Sequence, residues 1–137
     1  MIATVSSRYD SLTKNGYQIK TNVKDKSELH QGKDVNPKNF LNILKGNASG
    51  VIGGNGKLID SSSDDRIFVY FTDHGATGLI SFPDDIVRIL TVKMLDDTLS
   101  WMYTNGRYKQ LVFYLEACES GSMFDVVRDN INGMLFN

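Results

Sequence analysis

The sequence predicts an α/β domain built around a mainly parallel sheet. Two apolar runs, "RIFVYFT" (66–72) and "QLVFYLEA" (110–117), are rich in β-branched and aromatic residues, and a helical pattern lies between them. Because neither run alternates polar and apolar residues, we expect two strands buried on both faces, as in a parallel sheet. Strand, helix and strand then form a βαβ unit, whose crossover we expect to be right-handed.

The helix between the strands is predicted from "TVKMLDDTLSWMYTNG" (91–106). Apolar or small side chains recur there at a spacing of three and four residues, which is typical of one buried helix face. Thr91 fits the N-cap position, and Asn105-Gly106 fits a left-handed C-terminal end. The predicted buried face consists of Met94, Leu95, Thr98, Leu99 and Met102.

A second helix is predicted upstream, in "VNPKNFLNILKGN" (35–47). Asn36 fits the N-cap, Pro37 the first turn and Gly46 the residue that ends the helix. Its buried stripe is predicted to be Phe40, Leu41 and Leu44.

Less regular segments complete the chain. The glycine-rich residues 46–65 are predicted to form a surface loop, and they do not fit a phosphate-binding loop because no Lys-Ser/Thr follows glycines at the required spacing. Residues 1–5 are expected to add a short strand, and "NGYQIKTNV" (15–23) an edge segment.

Length and charge narrow the function. The 137 residues fit one domain (1–137), and the net charge of −1 gives no electrostatic reason to expect nucleic acid or an anionic membrane as a partner. No apolar run approaches the roughly 20 residues needed to span a bilayer. "MIATVSSRYD" lacks the features of a signal peptide, so no export signal is expected in this chain. The single cysteine cannot form an internal disulfide.

Two potentially reactive residues follow the two main strands. His74 comes after the first, in "TDHGATG", and Cys118 after the second, in "EACESGS". Parallel strands end at the same edge of a sheet, which is where open α/β sheets build their sites, so we expect the two to meet. An imidazole can activate a thiol, and "ESGSMFDVV" can start a helix whose positive end faces the sulfur. The N–H groups of Gly75 and Cys118 could form an oxyanion hole.

Simpler interpretations exist for each residue. A lone cysteine at a strand end is more often a small buried side chain than a nucleophile, and His74 could be an ordinary turn residue. Their joint placement favours the catalytic hypothesis. Glu116, inside the strand end, needs a partner or a ligand if it is buried, whereas Glu119 is expected at the surface. No cofactor or metal site is predicted, because His30 lies in a polar loop and no Cys/His spacing fits zinc.

The segments "FVYFTDHGATGLISFPDD", "LVFYLEACESGSMF" and "GKDVNPKNFLNILKGN" closely resemble the legumain family, the asparaginyl endopeptidases of the caspase-like clan. The resemblance runs from about Gly32 to Asn132. It implies a caspase-like three-layer αβα fold with a mainly parallel central sheet, here without flanking strands. The glycosylphosphatidylinositol transamidase catalytic subunits share the histidine and cysteine, but "ESGSM" favours legumain.

The resemblance also implies roles for individual residues. His74 is the catalytic histidine and Cys118 the nucleophile, with the oxyanion hole at Gly75 and Cys118. Glu116 belongs to the wall of the asparagine pocket. Asp73 matches an aspartate that lies beside the histidine in the family, and we expect it to contribute to substrate binding. A carboxylate suits that pocket because it accepts hydrogen bonds from a side-chain amide.

Family resemblance further implies protein or peptide substrates with asparagine at the cleavage site, a lysosomal or vacuolar location, and glycosylation at Asn47 in the sequon Asn47-Ala48-Ser49.

Two strands of the family have no counterpart here: an N-terminal strand with an asparagine and an Arg-His pair, and a later strand of the pocket. The chain is therefore expected to be an internal piece of the catalytic domain. The main hypothesis is a cysteine endopeptidase. The alternatives are an inactive truncated homologue that only folds or binds partners, and a glycosylphosphatidylinositol transamidase-like peptidase.

Overall fold

The computed structural model describes residues 2–6, 34–54, 56–82, 89–127 and 135–136. They form seven strands, two α-helices and two short 3₁₀ helices, at Ala48–Gly50 and Ser120–Phe124. The helices are α1 (Pro37–Lys45) and α2 (Val92–Thr104). The strands are β1 (Ile2–Ser6), β2 (Arg66–Thr72), β3 (Gly75–Ala76), β4 (Leu79–Ser81), β5 (Ile89–Thr91), β6 (Gln110–Glu116) and β7 (Leu135–Phe136).

The main sheet has the strand order β1-β2-β6-β7. Strands β2, β6 and β7 are parallel, with Thr72 opposite Glu116, and β1 pairs with β2 in the antiparallel sense. The predicted α/β class with a parallel centre is therefore confirmed, and the short strand expected at residues 1–5 is present as β1. The edge segment expected at "NGYQIKTNV" lies outside the described residues.

A second, smaller sheet lies in the connection between β2 and α2. Its strands β3, β4 and β5 pair in order and antiparallel, and Gly78, with a φ of 73°, forms part of the turn between β3 and β4. This sheet was not expected from the sequence. It matters for the site because it begins at Gly75, the residue directly after His74.

The helix ends follow the predicted capping. The Asn36 side chain accepts a hydrogen bond from the Asn39 N–H at 2.9 Å, and Gly46 ends α1 with a φ of 68°. Thr91 caps α2 by accepting from the Met94 N–H at 3.4 Å, and Gly106 follows it with a φ of 59°.

The buried face of α2 matches the prediction except at one residue. Met94 is 37% exposed, whereas the other predicted residues, Leu95, Thr98, Leu99 and Met102, are buried. Met94 directly precedes Leu95, and one residue turns a helix by about 100°, which places Met94 at the margin of the buried stripe. In α1, Phe40 and Leu44 are buried and Leu41 is partly buried against the core.

Both helices contribute to one hydrophobic core on a single face of the sheet. Phe40 of α1 packs against Phe71 and Phe82, with ring centroids 5.6 and 5.7 Å apart, and the two helices contact each other. The strand residues in this core are Ile67, Val69, Phe71, Leu111, Phe113 and Leu115.

The prediction that both strand faces are buried is wrong for the described part of the chain. Burial alternates along β2 and β6, and Tyr114 is 37% exposed. The reason is that α1 and α2 pack on the same side, so Phe68, Tyr70 and Tyr114 on the opposite face are only partly covered. Among the described residues, no helix has both the length and the apolar character required to cross a bilayer.

Candidate active site

The loop that carries His74 is fixed through its backbone. The Asp73 N–H donates to the Glu116 carbonyl at 3.2 Å, which ties the end of β2 to the end of β6. The His74 N–H donates to Oδ1 of Asp73 at 2.7 Å, and the His74 carbonyl accepts from the Ser81 N–H at 2.8 Å. His74 itself is exposed, so a backbone held on both sides presents its imidazole to solvent.

Cys118 lies on the neighbouring loop, two residues after β6 ends, and is exposed. The interpretation of this cysteine as a small buried core residue is therefore wrong. The helix expected after it is a 3₁₀ helix of only 5 residues, Ser120–Phe124. Because so few peptide dipoles are aligned, the contribution of this helix to the electrostatics of the sulfur is small.

The two loops touch at Gly75. A Cβ atom added to Gly75 would lie 2.6 Å from the Cys118 carbonyl oxygen and 3.0 Å from the Cβ of Ala117. Only a residue without a side chain allows the backbones to approach this closely. The structure thus brings the two segments with the predicted catalytic residues into direct contact, as the parallel topology predicted.

Glu116 has a partner that the sequence analysis missed. The Tyr70 hydroxyl donates to its Oε2 at 2.8 Å, and hydrogen bonding to the carboxylate raises the pKa of Tyr70 above its ordinary value of 10.0. Glu116 is exposed rather than buried, so it needs no ligand to offset burial. The signal was available in principle, because residues 70 and 116 point to the same face of two adjacent strands.

A cleft of about 620 Å³ opens beside these residues. Glu116 and Tyr70 form part of its wall, and so does Ala117, the residue before Cys118. The described residues that line it are Tyr70, Tyr114, Leu115, Glu116, Ala117 and Ser120. The cleft therefore combines aromatic surface with one carboxylate, next to an exposed thiol.

Ser122 is a second residue that the sequence analysis missed. Its hydroxyl accepts a hydrogen bond from the Gly78 N–H at 2.8 Å and donates to the Glu119 carbonyl at 2.6 Å. No local sequence pattern predicts this hydrogen bond, because Gly78 and Ser122 belong to different loops. Glu119 is exposed, as expected, and has a φ of 56°.

The other predicted sites lie apart from these loops. Asn47 is exposed, with its Nδ2 donating to Oδ1 of Asn42 and its Oδ1 accepting from the Ser49 hydroxyl, each at 2.8 Å. Its glycosylation stays a prediction. His30 lies outside the described residues, and no group of three or more His, Cys, Asp or Glu within the described ranges could hold a metal ion.

Comparisons of the sequence with a family model and with known proteins agree with each other. A model of the peptidase C13 family matches residues 8–136. Legumain from Homo sapiens is 49% identical over 104 residues, covering 75% of this chain and 23% of that protein. The vacuolar-processing enzyme delta-isozyme of Arabidopsis thaliana is 46% identical over 101 residues (72% and 21%). A hemoglobinase of Schistosoma mansoni is 48% identical over 98 residues (72% and 21%). The chain thus spans less than a quarter of the length of these relatives.

Proposed function

The chain belongs to the peptidase C13 family, and we propose that it cleaves peptide bonds after asparagine through a dyad of His74 and Cys118. The observation that carries this proposal is the contact between Gly75 and the Cys118 backbone, which sets an exposed thiol beside the histidine loop. The names of the relatives support peptidase activity, and the name "vacuolar-processing enzyme" supports a vacuolar or lysosomal location.

The proposed reaction has two halves. His74 takes the proton of the Cys118 thiol, and the sulfur attacks the main-chain carbonyl carbon of the substrate asparagine. The N–H groups of Gly75 and Cys118 stabilise the oxyanion, and His74 then gives its proton to the leaving amine. In the second half, His74 takes a proton from water as the water oxygen attacks the thioester carbonyl. The C–S bond breaks, His74 returns the proton to the sulfur, and the product leaves with a new carboxyl group at its asparagine.

The proposed specificity rests on the cleft beside Cys118. Glu116 can accept hydrogen bonds from the side-chain amide of asparagine, and Tyr70 orients its carboxylate by binding Oε2. Asp73 remains a predicted substrate-binding residue, and its Oδ1 also accepts from the His74 backbone. The substrates on this proposal are proteins or peptides with an accessible asparagine.

The test is hydrolysis of a fluorogenic peptide ending in Ala-Asn, at mildly acidic pH, by the parent chain and by Cys118→Ala. We expect turnover by the parent and a loss of roughly 10³-fold or more in the variant, because the nucleophile is removed. A matched peptide ending in Ala-Gln tests the requirement for asparagine. Equal rates for the parent and Cys118→Ala would rule out the proposal.

Thiol labelling separates a working site from a non-catalytic homologue. Cys118 is the only cysteine, so iodoacetamide uptake reports on it alone. In a working dyad it labels faster than free cysteine, and His74→Ala slows the labelling. Labelling of the parent at the rate of an unfolded peptide favours the non-catalytic alternative.

A further inference from the structure

Ser122 connects the two loops that carry His74 and Cys118. Its hydroxyl accepts from the Gly78 N–H at 2.8 Å and donates to the Glu119 carbonyl at 2.6 Å. A serine hydroxyl can do both at once because it has one proton and two lone pairs. One end of this link is the residue after Cys118, and the other is the turn of the small sheet that begins directly after His74.

The Glu119 end of the link is conformationally unusual. Glu119 is the non-glycine residue with a positive φ, 56°, in the described part of the chain, a conformation that glutamate rarely adopts. Its carbonyl accepts two hydrogen bonds from Ser122, one from the hydroxyl and one from the backbone N–H at 3.0 Å. Such a conformation persists only where its surroundings hold it. Ser122 therefore stabilises the backbone conformation of Glu119, the residue directly after the proposed nucleophile.

The Gly78 end of the link is anchored on its other side. The Gly78 carbonyl accepts from the Val92 N–H at 2.9 Å, which ties the turn to the first residue of α2. Ser122 thus fastens the cysteine loop to a point that is already fixed to the helical layer. Together with the contact between Gly75 and Cys118, this gives the two loops a second connection, and two connections define their relative placement better than one.

We propose that Ser122 is a positioning residue of the dyad: it sets the cysteine loop against the histidine loop by bridging Glu119 and Gly78. This inference rests on the proposed function, in which the reaction takes place between these loops. Ser122 takes no part in the chemistry itself. Loss of the bridge changes the approach of imidazole and thiol, and misplacement by about 1 Å can cost roughly 10²-fold in rate.

The experiment compares Ser122→Ala, Ser122→Thr and the control Gly121→Ala. Threonine keeps the hydroxyl, and a Cβ at Gly121 meets nothing within 4 Å although it lies in the same 3₁₀ helix. Two quantities are measured: the rate of Cys118 alkylation by iodoacetamide as a function of pH, and kcat and KM for the Ala-Asn peptide.

Ser122→Ala is expected to lower kcat by roughly tenfold to a hundredfold, with KM within about twofold of the parent, and to slow alkylation at mildly acidic pH. The pH profile of alkylation should move towards that of free cysteine. Ser122→Thr and Gly121→Ala should stay within about threefold of the parent. Parent rates in folded Ser122→Ala, or equal losses in the threonine variant, would overturn the inference.

A further variant covers the possibility that Ser122→Ala does not fold. Glycine adopts a positive φ without support, so Glu119→Gly with Ser122→Ala removes the strain while the bridge to Gly78 stays broken. We expect Cys118 of this double variant to be alkylated more slowly than in the parent. Alkylation at the rate of the parent would contradict the positioning role of the bridge. If the parent itself shows no turnover of the peptide, the proposed function fails. Exchange of the Gly78 amide hydrogen, expected to be faster in Ser122→Ala, then still tests the bridge.

Discussion

The Tyr70 hydroxyl donates a hydrogen bond of 2.8 Å to Oε2 of Glu116, across the parallel strands β2 and β6. This hydrogen bond to the carboxylate raises the pKa of Tyr70 above its ordinary value of 10.0. The bond engages one carboxylate oxygen and orients the other. Tyr70 therefore acts on the pocket proposed for asparagine through Glu116.

We predict that Tyr70→Phe raises KM for the Ala-Asn peptide about three- to tenfold, because the loss of one hydrogen bond to a carboxylate costs about 1 kcal/mol. The value of kcat should change little, since the hydroxyl does not touch the reacting bond. Tyr114→Phe is the matched control, because Tyr114 lines the same cleft and packs edge-on against Phe68. An unchanged KM in Tyr70→Phe, or the same rise in both variants, would contradict this prediction.

Gly75 gives a second prediction. A Cβ at this residue would lie 2.6 Å from the Cys118 carbonyl and 3.2 Å from the Leu79 carbonyl, both of them backbone atoms. Gly75→Ala should lower the free energy of unfolding by about 1–3 kcal/mol, the usual cost of overpacking, and should also reduce kcat by separating the loops. Urea denaturation and peptide hydrolysis measure the two effects.

Gly121→Ala is the control for the Gly75 prediction. A Cβ at Gly121 meets nothing within 4 Å, so we expect its free energy of unfolding to stay within about 0.5 kcal/mol of the parent. If Gly75→Ala were as stable and as active as Gly121→Ala, the two loops would not be in the contact that the structure describes.

The parts of the fold that could be predicted from the sequence are those with local signals. Asn36 and Thr91 at the helix starts, and Gly46 and Gly106 at the ends, have the structures expected of them because capping depends on a few neighbouring residues. The apolar runs predicted β2 and β6 equally well. Burial of both their faces could not be inferred from composition, because it depends on where helices pack.

The candidate site was predictable as far as chain topology determines it. Parallel strands end at one edge, and this was sufficient to bring the loops of His74 and Cys118 together. The bridge through Ser122 and the bond from Tyr70 to Glu116 are tertiary contacts, and no periodicity encodes them. The small sheet was missed for a related reason, since its strands have only 2 or 3 residues.

Asn39 gives a prediction about stability. Asn39 is only 2% exposed, and its side chain joins α1 to the glycine-rich loop. Its Nδ2 donates to the carbonyls of Asp34 and Ile52 at 2.9 and 2.8 Å, and its Oδ1 accepts from the Ile52 N–H at 3.0 Å. Asn39→Ala removes these three hydrogen bonds. We expect the free energy of unfolding to fall by about 2–4 kcal/mol, measured by urea denaturation.

Two further variants sharpen the Asn39 test. Asn39→Asp keeps the size of the side chain but cannot donate when ionised, so it should destabilise at least as much as alanine at neutral pH. Lys38→Ala, at an exposed residue of the same helix, should change the free energy of unfolding by less than about 0.5 kcal/mol. If Asn39→Ala lowered the free energy of unfolding no more than Lys38→Ala does, the hydrogen bonds of Asn39 would not stabilise the loop.

Tyr108 is a residue at which a substitution is expected to increase the stability of the protein. The residue is 6% exposed, and its hydroxyl is buried without a hydrogen-bond partner among the described residues. Tyr108→Phe removes an unsatisfied polar atom and keeps the ring, so we expect the free energy of unfolding at neutral pH to rise by about 1 kcal/mol. Tyr103→Phe is the control, because Tyr103 is 41% exposed while its ring lies 6.5 Å from that of Tyr108.

The advantage of Tyr108→Phe should also depend on pH. Burial raises the pKa of Tyr108 from 10.0 to about 12, so between these values the unfolded chain loses the proton and the folded chain keeps it. The stability of the parent is therefore unaffected by this group below pH 10 and falls as pH rises towards 12. Phenylalanine cannot ionise, so the difference between the two proteins should widen over that range. A constant difference in urea denaturation from pH 9 to 12 would contradict burial of the hydroxyl.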